Sequence, residues 1–376
     1  MLSHLIPLLA LHSRLEPGRH DTAFLVPKQF HDALADCGRN ALAIDHQLAQ
    51  AFRTEMLAYS HFKPDVVIDD LAETVIMSTK IAEIPRITIR RTGTFPGCAP
   101  RNLNHRHSLL LPGSDSRYFA EFYRNSEAIC GLPPPKTLAD ACDADVSVVP
   151  GIRAIERLPP NLAADPSYVF SGPLIVPDSE AARISQAGRD TEALLSFIDG
   201  NQSRPIAFLT LGNILAACDP LPGIVKHILE EGFAVISNVN VSDVAPNLRD
   251  RFFHRRFLPM DAVCSRADVM IHHCGSGTYQ YQLMHALPSI AVGSQCYDRD
   301  DVAMRLDELG VAKYVCSPDD APDFSGRLLR AFDECSNKSG TWFKKAQETL
   351  RALKEETARV ANLFDLESVL EMALPG

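Results

Sequence analysis

The chain has 376 residues, of which 46% are hydrophobic and 22% are charged, and its formal net charge is −10 at pH 7. This length exceeds what a single hydrophobic core supports, so two domains are expected. The negative charge argues against general nucleic-acid binding, for which a basic face supplies most of the affinity. The sequence holds no apolar run of about 18 residues, the length that would predict a membrane span.

The N-terminal run MLSHLIPLLAL lacks the early basic residues and the small-residue cleavage site of a signal peptide, so we expect a folded helix capped by Ser3. Short apolar strands then alternate with helical stretches, which is typical of parallel α/β folds. A first series has predicted strands at 21–27, 64–70, 85–90 and 145–150, and helices at 28–37, 48–62 and 72–82. A second series has predicted strands at 205–212, 233–239, 254–259, 268–273 and 289–294, and helices at 219–231 and 303–310.

This alternation predicts two Rossmann-like, doubly wound α/β domains that face each other across a cleft. The predicted division is an N-terminal domain, a linker, a C-terminal domain and terminal helices, at 1–172, 173–204, 205–340 and 341–376. Ten cysteines are scattered singly and without zinc-ligand spacing, which indicates reduced thiols in a cytoplasmic protein.

The most informative segment follows the strand predicted at 268–273. A glycine-rich turn, Cys274 to Thr278, leads from that strand into a helix. Glycines allow close backbone approach, and the amides and dipole of a helix N-terminus attract anions. The turn therefore predicts a phosphate site, although a strand–helix turn without a ligand has the same pattern.

The spacing of residues 267–310 resembles the signature of UDP-glycosyltransferase-like enzymes of the GT-B superfamily, in particular the bacterial members that glycosylate natural products. Their pattern H-[GC]-G-x-G-T, G/A-x-P, D-Q-x-x-N-A and L-G is matched at 273–278, 286–288, 298–303 and 309–310. Three further segments resemble family features: TLGN at 210–213, RFLPM at 256–260 and FSGPL at 170–174. The resemblance covers nearly the whole chain.

The resemblance implies that the C-terminal domain binds a nucleotide sugar. The donor-binding residues that it implies are Gly212, Asn213, Phe257, Leu258, His273, Gly275, Ser276, Gly277, Thr278, Tyr281, Asp298 and Arg299. No cofactor and no metal ion are expected. The expected partners are the nucleotide sugar and a small-molecule acceptor, with a homodimer as one compatible assembly.

The opening segment SHLIP, at 3–7, resembles the family's G-H-x-x-P, in which the histidine acts as general base on the acceptor. The resemblance implies this role for His4, with Asp70 orienting its imidazole, and the chemistry suits a side chain that titrates near neutral pH. Asp69 is the competing partner, because a slip of one residue changes the face of the strand. The family's first strand precedes this motif, so either that strand lies upstream of Met1, which we favour, or another segment takes its place.

Three departures bear on the substrates. Tyr281 stands where UDP-using relatives carry a ribose-binding glutamate, which favours a TDP-sugar donor. Arg299 replaces the glutamine of the D-Q pair, so either the sugar carries an acidic or unusual substituent or Arg299 forms a surface salt bridge. The segment 90–108, rich in arginine and histidine, is interpreted as a solvated loop rather than as an acceptor-binding loop.

These observations predict an inverting glycosyltransferase acting on a small molecule in natural-product biosynthesis. Two alternatives stay open: a nucleotide-sugar epimerase on the same fold, and a non-catalytic nucleotide-binding partner of another glycosyltransferase. An epimerase would convert the donor without any acceptor.

Overall fold

The computed structural model of the chain describes residues 2–44, 48–70, 72, 74–96, 131–133, 138–185, 191–211, 220–241, 244–294, 296–316 and 323–374. The helices α1 to α14 are Leu2–His12, Lys28–Asp36, Leu48–Phe62, Val75–Ala82, Leu138–Ala141, Asp178–Ser185, Thr191–Gly200, Leu221–Glu230, Met260–Cys264, Ser276–His285, Tyr297–Glu308, Phe324–Ser336, Thr341–Leu363 and Leu366–Ala373. The strands β1 to β12 are Phe24–Pro27, Ala41–Ile44, Val67–Asp69, Arg86–Ile89, Val146–Pro150, Tyr168–Gly172, Ile206–Thr210, Ala234–Ser237, Phe252–His254, Val269–His272, Ser289–Val292 and Ala312–Val315. Short 3₁₀ helices cover Pro160–Leu162 and Pro246–Arg251.

The chain divides into two compact units, Met1–Val176 with Val360–Gly376, and Pro177–Arg359. Unit 2 contains a six-stranded parallel sheet in the order β12-β11-β10-β7-β8-β9. Strands β7, β8, β10 and β11 are buried along their whole length, because helices cover an all-parallel sheet. This is the doubly wound order, in which the chain reverses direction across the sheet between β7 and β10.

Unit 1 contains a parallel pair, β1-β2, and a four-stranded parallel sheet in the order β3-β4-β5-β6. The C-terminal residues return to this unit, where α14 packs against β4 and β5. Gly172 has a φ of +66°, and a Cβ there would lie 2.8 Å from the backbone nitrogen of Ala361. Arg14 donates to the carbonyls of Ser171 and Pro173 and lies 4.9 Å from the Phe364 ring centroid. The last turns of the chain are thereby held in unit 1.

The α/β class and the parallel sheets agree with the sequence prediction, but several local expectations were wrong. Helix α1 begins at Leu2, so Ser3 lies within it rather than before it. The segment predicted as a linker, 173–204, holds α6 and α7. The strand predicted at 254–259 instead covers Phe252–His254, and the strands at 41–44, 168–172 and 312–315 were missed.

Among the helices within the described ranges, none combines the length and apolarity needed to span a membrane. The described cysteines Cys37, Cys142, Cys264, Cys274, Cys296, Cys316 and Cys335 are free thiols.

Candidate functional site

The glycine-rich turn of unit 2 lies at the point where the strand order reverses. Thr210 ends β7 and His272 ends the adjacent β10, with these two residues in register. His273, Cys274 and Gly275 then lead into α10. Cys274 has a left-handed φ of +54°, which turns the chain sharply out of the strand. Ligands of doubly wound sheets bind at this kind of position.

Helix α10 begins directly at the turn, with Ser276, Gly277 and Thr278 in its first turn. Gly275 occupies the N-cap position, and no side chain forms a capping hydrogen bond there. The N–H groups of a helix N-terminus that lack a capping side chain are available to an anion. The predicted residues Gly275, Ser276, Gly277 and Thr278 are therefore brought together at one helix end, where the N–H of Thr278 donates to the Gly275 carbonyl at 2.8 Å and closes the first turn.

His273 is buried beside this helix end. Its Nδ1 lies 3.3 Å from the carbonyl oxygen of Thr210. A Cβ added at Gly275 would lie 2.9 Å from Nε2 of His273, so the glycine lets the imidazole approach the turn. Burial lowers the pKa of His273 to about 4, with the positive charge of Arg299 acting in the same direction. The imidazole is thus neutral near pH 7, with Nδ1 as its donor and Nε2 as an acceptor.

The segment predicted to receive the nucleotide base lies next to α9. The Phe257 ring is 42% exposed, and the Arg256 guanidinium lies 5.5 Å from its centroid. Leu258 is half-buried. The carboxylate of Asp178, on α6, accepts the Ala262 amide at 2.9 Å and so anchors the start of α9. This anchor was missed because Asp178 lies in the segment interpreted as a linker.

Three further predicted donor residues lie on two helices that follow strands. Tyr281 is buried on α10, and burial together with the negative charge of Asp178 raises the pKa of its phenol. Asp298 and Arg299 are half-buried in the first turn of α11, where Asp298 accepts from the Cys296 thiol at 3.0 Å. Gly212 and Asn213 lie outside the described residues.

In unit 1 the structure brings His4 and Asp70 together. His4 lies in the first turn of α1, and Asp70 follows β3. Nδ1 of His4 is 3.4 Å from Oδ2 of Asp70, and the side chains are 51% and 0% exposed. A half-exposed imidazole held by a buried carboxylate has the geometry of a general base and its orienting partner.

The neighbouring residues Asp69 and Asp70 each bind a different arginine. Arg86 donates from Nε and Nη2 to Asp69 at 2.7 and 3.0 Å. Arg91 donates to Asp70 in the same two-pronged manner, at 2.5 and 2.7 Å. Burial would raise the pKa of Asp70, but the charge and hydrogen bonds of Arg91, with a hydrogen bond from His4, lower it below its ordinary value.

Arg91 is absent from the predicted site, because residues 90–108 have the composition of a solvated loop. The interpretation as a solvated loop is wrong for residues 90–95, which are all buried, and residues 97–108 lie outside the described part of the chain. Arg90 donates to the carbonyls of Thr94 and Ala139 at 2.6 and 2.7 Å. The signal available in the sequence was a pair of consecutive arginines at the end of a predicted apolar strand.

A second buried acid lies between α3 and α4. Glu55 accepts from the hydroxyls of Thr74 and Ser78, the latter at 2.7 Å. Burial raises its pKa to about 7. Within the described ranges no three His, Cys, Asp or Glu side chains are grouped so that they could hold a metal ion.

The fold of the chain matches that of solved glycosyltransferase structures. It resembles the solved structure of the glycosyltransferase of kitacinnamycin, with a TM-score of 0.71, 17% identity, and coverage of 100% of this chain and 97% of that one. It also resembles a UDP-glucosyltransferase from Polygonum tinctorium (TM-score 0.69, 15% identity, 100% and 97% covered) and the glycosyltransferase VinC in complex with DTDP (TM-score 0.65, 15% identity, 100% and 97% covered). These likenesses confirm the predicted GT-B fold.

Among curated proteins, the chain is similar to the aclacinomycin-T 2-deoxy-L-fucose transferase of Streptomyces galilaeus. The two are 30% identical over 116 residues, which is 30% of this chain and 26% of that protein. The similarity thus spans about a quarter of the relative's length. No family model matches the chain. The resemblance to bacterial natural-product glycosyltransferases that the motifs predicted is confirmed by this relative and by the solved structures.

Proposed function

We propose that this protein is an inverting glycosyltransferase that moves a sugar from a nucleoside diphosphate to a small-molecule acceptor. The observation that carries the proposal is the phosphate site at the strand reversal of unit 2. Buried His273, close-packed Gly275 and the uncapped start of α10 meet there at the carboxyl end of the sheet. This combination suits a diphosphate that must accept negative charge as the sugar leaves.

In this proposal the donor is held by unit 2. The N–H groups of Ser276 and Gly277, in the turn that Thr278 closes, stabilise the diphosphate together with His273, Gly212 and Asn213. Phe257 and Leu258 receive the base, since an exposed aromatic ring offers a stacking face. Asp298 and Arg299 contact the sugar. The similar solved structures include both a UDP-glucosyltransferase and SpnG complexed with thymidine diphosphate, so the preference for TDP is based on Tyr281, which stands where UDP-using enzymes carry a glutamate.

The acceptor is activated in unit 1. His4 takes the proton of the acceptor hydroxyl or amine on Nε2, while Nδ1–H faces Asp70. The acceptor atom forms a bond to the anomeric carbon as the bond from that carbon to the phosphate oxygen breaks. The bonding electron pair leaves with the diphosphate, and the configuration inverts. The charge of Asp70 stabilises the imidazolium that results.

The name of the curated relative favours an antibiotic-type acceptor, and the free cysteines favour a cytoplasmic location. Incubation with radiolabelled TDP- and UDP-sugars distinguishes the candidate functions. A transferase hydrolyses its donor slowly without acceptor and forms a glycoside with it, an epimerase converts the sugar with no acceptor, and a binding partner changes nothing. Epimerised donor, or an inert donor in the presence of a broad panel of acceptors, would contradict the proposal.

A further inference from the structure

The carboxylate beside His4 has a second, stronger partner. Arg91 lies two residues beyond the end of β4 and is buried, with 5% of its surface exposed. Its Nη1 and Nη2 atoms donate to the two oxygens of Asp70 at 2.5 and 2.7 Å, so Oδ2 is shared between Arg91 and His4. A planar guanidinium on a carboxylate also fixes the direction in which the remaining lone pairs point.

We propose that Arg91 is a positioning residue that keeps the His4–Asp70 pair free of a bound proton, so that His4 is available as a base at working pH. The role of His4 as a base rests on the proposed function. The effect of Arg91 on protonation of the His4–Asp70 pair can be measured without a substrate.

The physical reason is the charge of the group. When His4 is neutral, the pair carries the single negative charge of Asp70. The positive guanidinium in contact with that carboxylate disfavours the binding of a proton by either residue. Without Arg91, a fully buried carboxylate with only an imidazole beside it binds a proton at higher pH, as an ion pair or as a neutral acid with a neutral histidine. Both outcomes remove the neutral histidine beside an ionised aspartate that base catalysis requires.

Other charges near Arg91 have partners of their own. Asp69 is held by Arg86. Glu156 is buried and accepts the Thr92 amide, adjacent to Arg91, at 2.7 Å. Arg91 is therefore the cation in direct contact with Asp70, and its removal changes the charge at the pair.

The experiment is a titration of His4 by NMR, with ¹³C-labelled histidine and the His4→Ala spectrum for assignment. In Arg91→Gln the titration midpoint of His4 should move to higher pH, because a positive charge that disfavours a proton on the His4–Asp70 pair is lost. Arg91→Lys keeps the charge on a single point of contact and should move it less. The acidic limb of the kcat profile should shift in the same direction as the NMR midpoint.

Arg91→Gln alone leaves a buried carboxylate short of a partner and can fail to fold. The same comparison is therefore made in an Asp70→Asn background, where Arg91→Gln should again move the midpoint upward because a positive charge is lost. The matched control is Arg86→Gln in an Asp69→Asn background. The titration midpoint of His4 should be the same in this double variant as in Asp69→Asn alone. An unchanged or lowered midpoint on loss of Arg91 would overturn the proposal. A raised midpoint in a protein that transfers no sugar would overturn the proposed function alone.

Discussion

Nδ1 of His273 donates to the carbonyl oxygen of Thr210 across the strand reversal of unit 2, at 3.3 Å. Because a carbonyl only accepts, this contact sets the tautomer and leaves Nε2 with a lone pair directed toward the glycine-rich turn. The imidazole is neutral there, since burial lowers its pKa to about 4. A phosphate oxygen also only accepts, so His273 can donate to the diphosphate through Nε2 only after it takes up a second proton.

TDP binding should therefore be coupled to proton uptake at His273. Bound TDP should raise the pKa of His273 above the value of about 4 that it has in the protein without ligand. The affinity for TDP therefore increases as the pH falls through the pKa of His273 in the complex. Calorimetry in buffers of different ionisation enthalpy measures the uptake. His273→Gln, which donates without titrating, is the control, because protonation of TDP itself is common to both proteins. Equal proton uptake in the two would contradict the prediction.

Gly275→Asp should abolish nucleotide binding. Its Cβ would lie 2.9 Å from Nε2 of His273, and its carboxylate would repel the phosphates. In the wild-type protein, TDP at about 100 times its Kd should stabilise the folded state by about 2.7 kcal/mol, measured as a rise in melting temperature. Gly223→Ala on α8, where a Cβ meets no atom within 4 Å, should keep that rise. If TDP raised the melting temperature of Gly275→Asp as much as that of the wild-type protein, the phosphate would not bind at this turn.

TDP should bind at least as tightly as UDP. Tyr281 stands at the position implied to contact the ribose, and burial raises the pKa of its phenol, so it remains uncharged. A neutral phenol offers fewer hydrogen bonds to two vicinal hydroxyls than a carboxylate does. Competitive titration calorimetry measures the ratio of the two affinities. Clearly tighter UDP binding would give Tyr281 another role.

His4→Ala should lower kcat by roughly 10²–10⁴, the range for loss of a general base. TDP affinity should be unchanged, because the predicted nucleotide site lies in unit 2. Asp70→Asn should slow turnover as well, since an amide does not stabilise the imidazolium. Wild-type turnover in His4→Ala on the true acceptor would make this histidine an ordinary helix-start residue.

Asp69→Asn separates a structural from a catalytic aspartate. It leaves the buried guanidinium of Arg86 without its carboxylate, so the melting temperature should fall. Turnover per folded molecule should be retained, because Asp69 is bound to Arg86 and Asp70 is the aspartate in contact with His4. Melting curves and active-site-normalised rates test the two halves separately.

Glu55 should make the stability of the protein fall as the pH rises from about 4.5 to about 7. The folded state binds a proton on this carboxyl up to about pH 7, whereas the unfolded chain releases it near 4.5. The stability present below pH 4.5 is lost through this window, by about 3 kcal/mol at 1.36 kcal/mol for each pH unit. Glu55→Gln should flatten that part of the melting-temperature profile. An equally steep profile in the variant would place the proton elsewhere.

The glycine-rich turn between β10 and α10 could be predicted because its determinants are adjacent in the chain. Close approach to His273 requires a glycine at 275, and the helix that follows begins at Ser276. The order of the unit-2 strands could not be read so directly, because pairing joins β7 to β10 across about sixty residues. The anchoring role of Asp178 could not be predicted for the same reason, since it exists only through the contact with Ala262 on α9.

The sequence by itself determined the fold class, the glycine-rich turn before α10 and the pairing of His4 with an aspartate at the end of a strand. The resemblance already favoured Asp70 over Asp69, and only the tertiary structure decided which cation each of the two aspartates meets. Successive residues of a strand point to opposite faces, so Asp69 and Asp70 meet different arginines, Arg86 and Arg91, that lie on the next strand and just beyond it. A buried carboxylate requires a cationic partner, and the fold decides which arginine lies close enough to be that partner. The spacing of residues along the chain does not predict which arginine pairs with which aspartate.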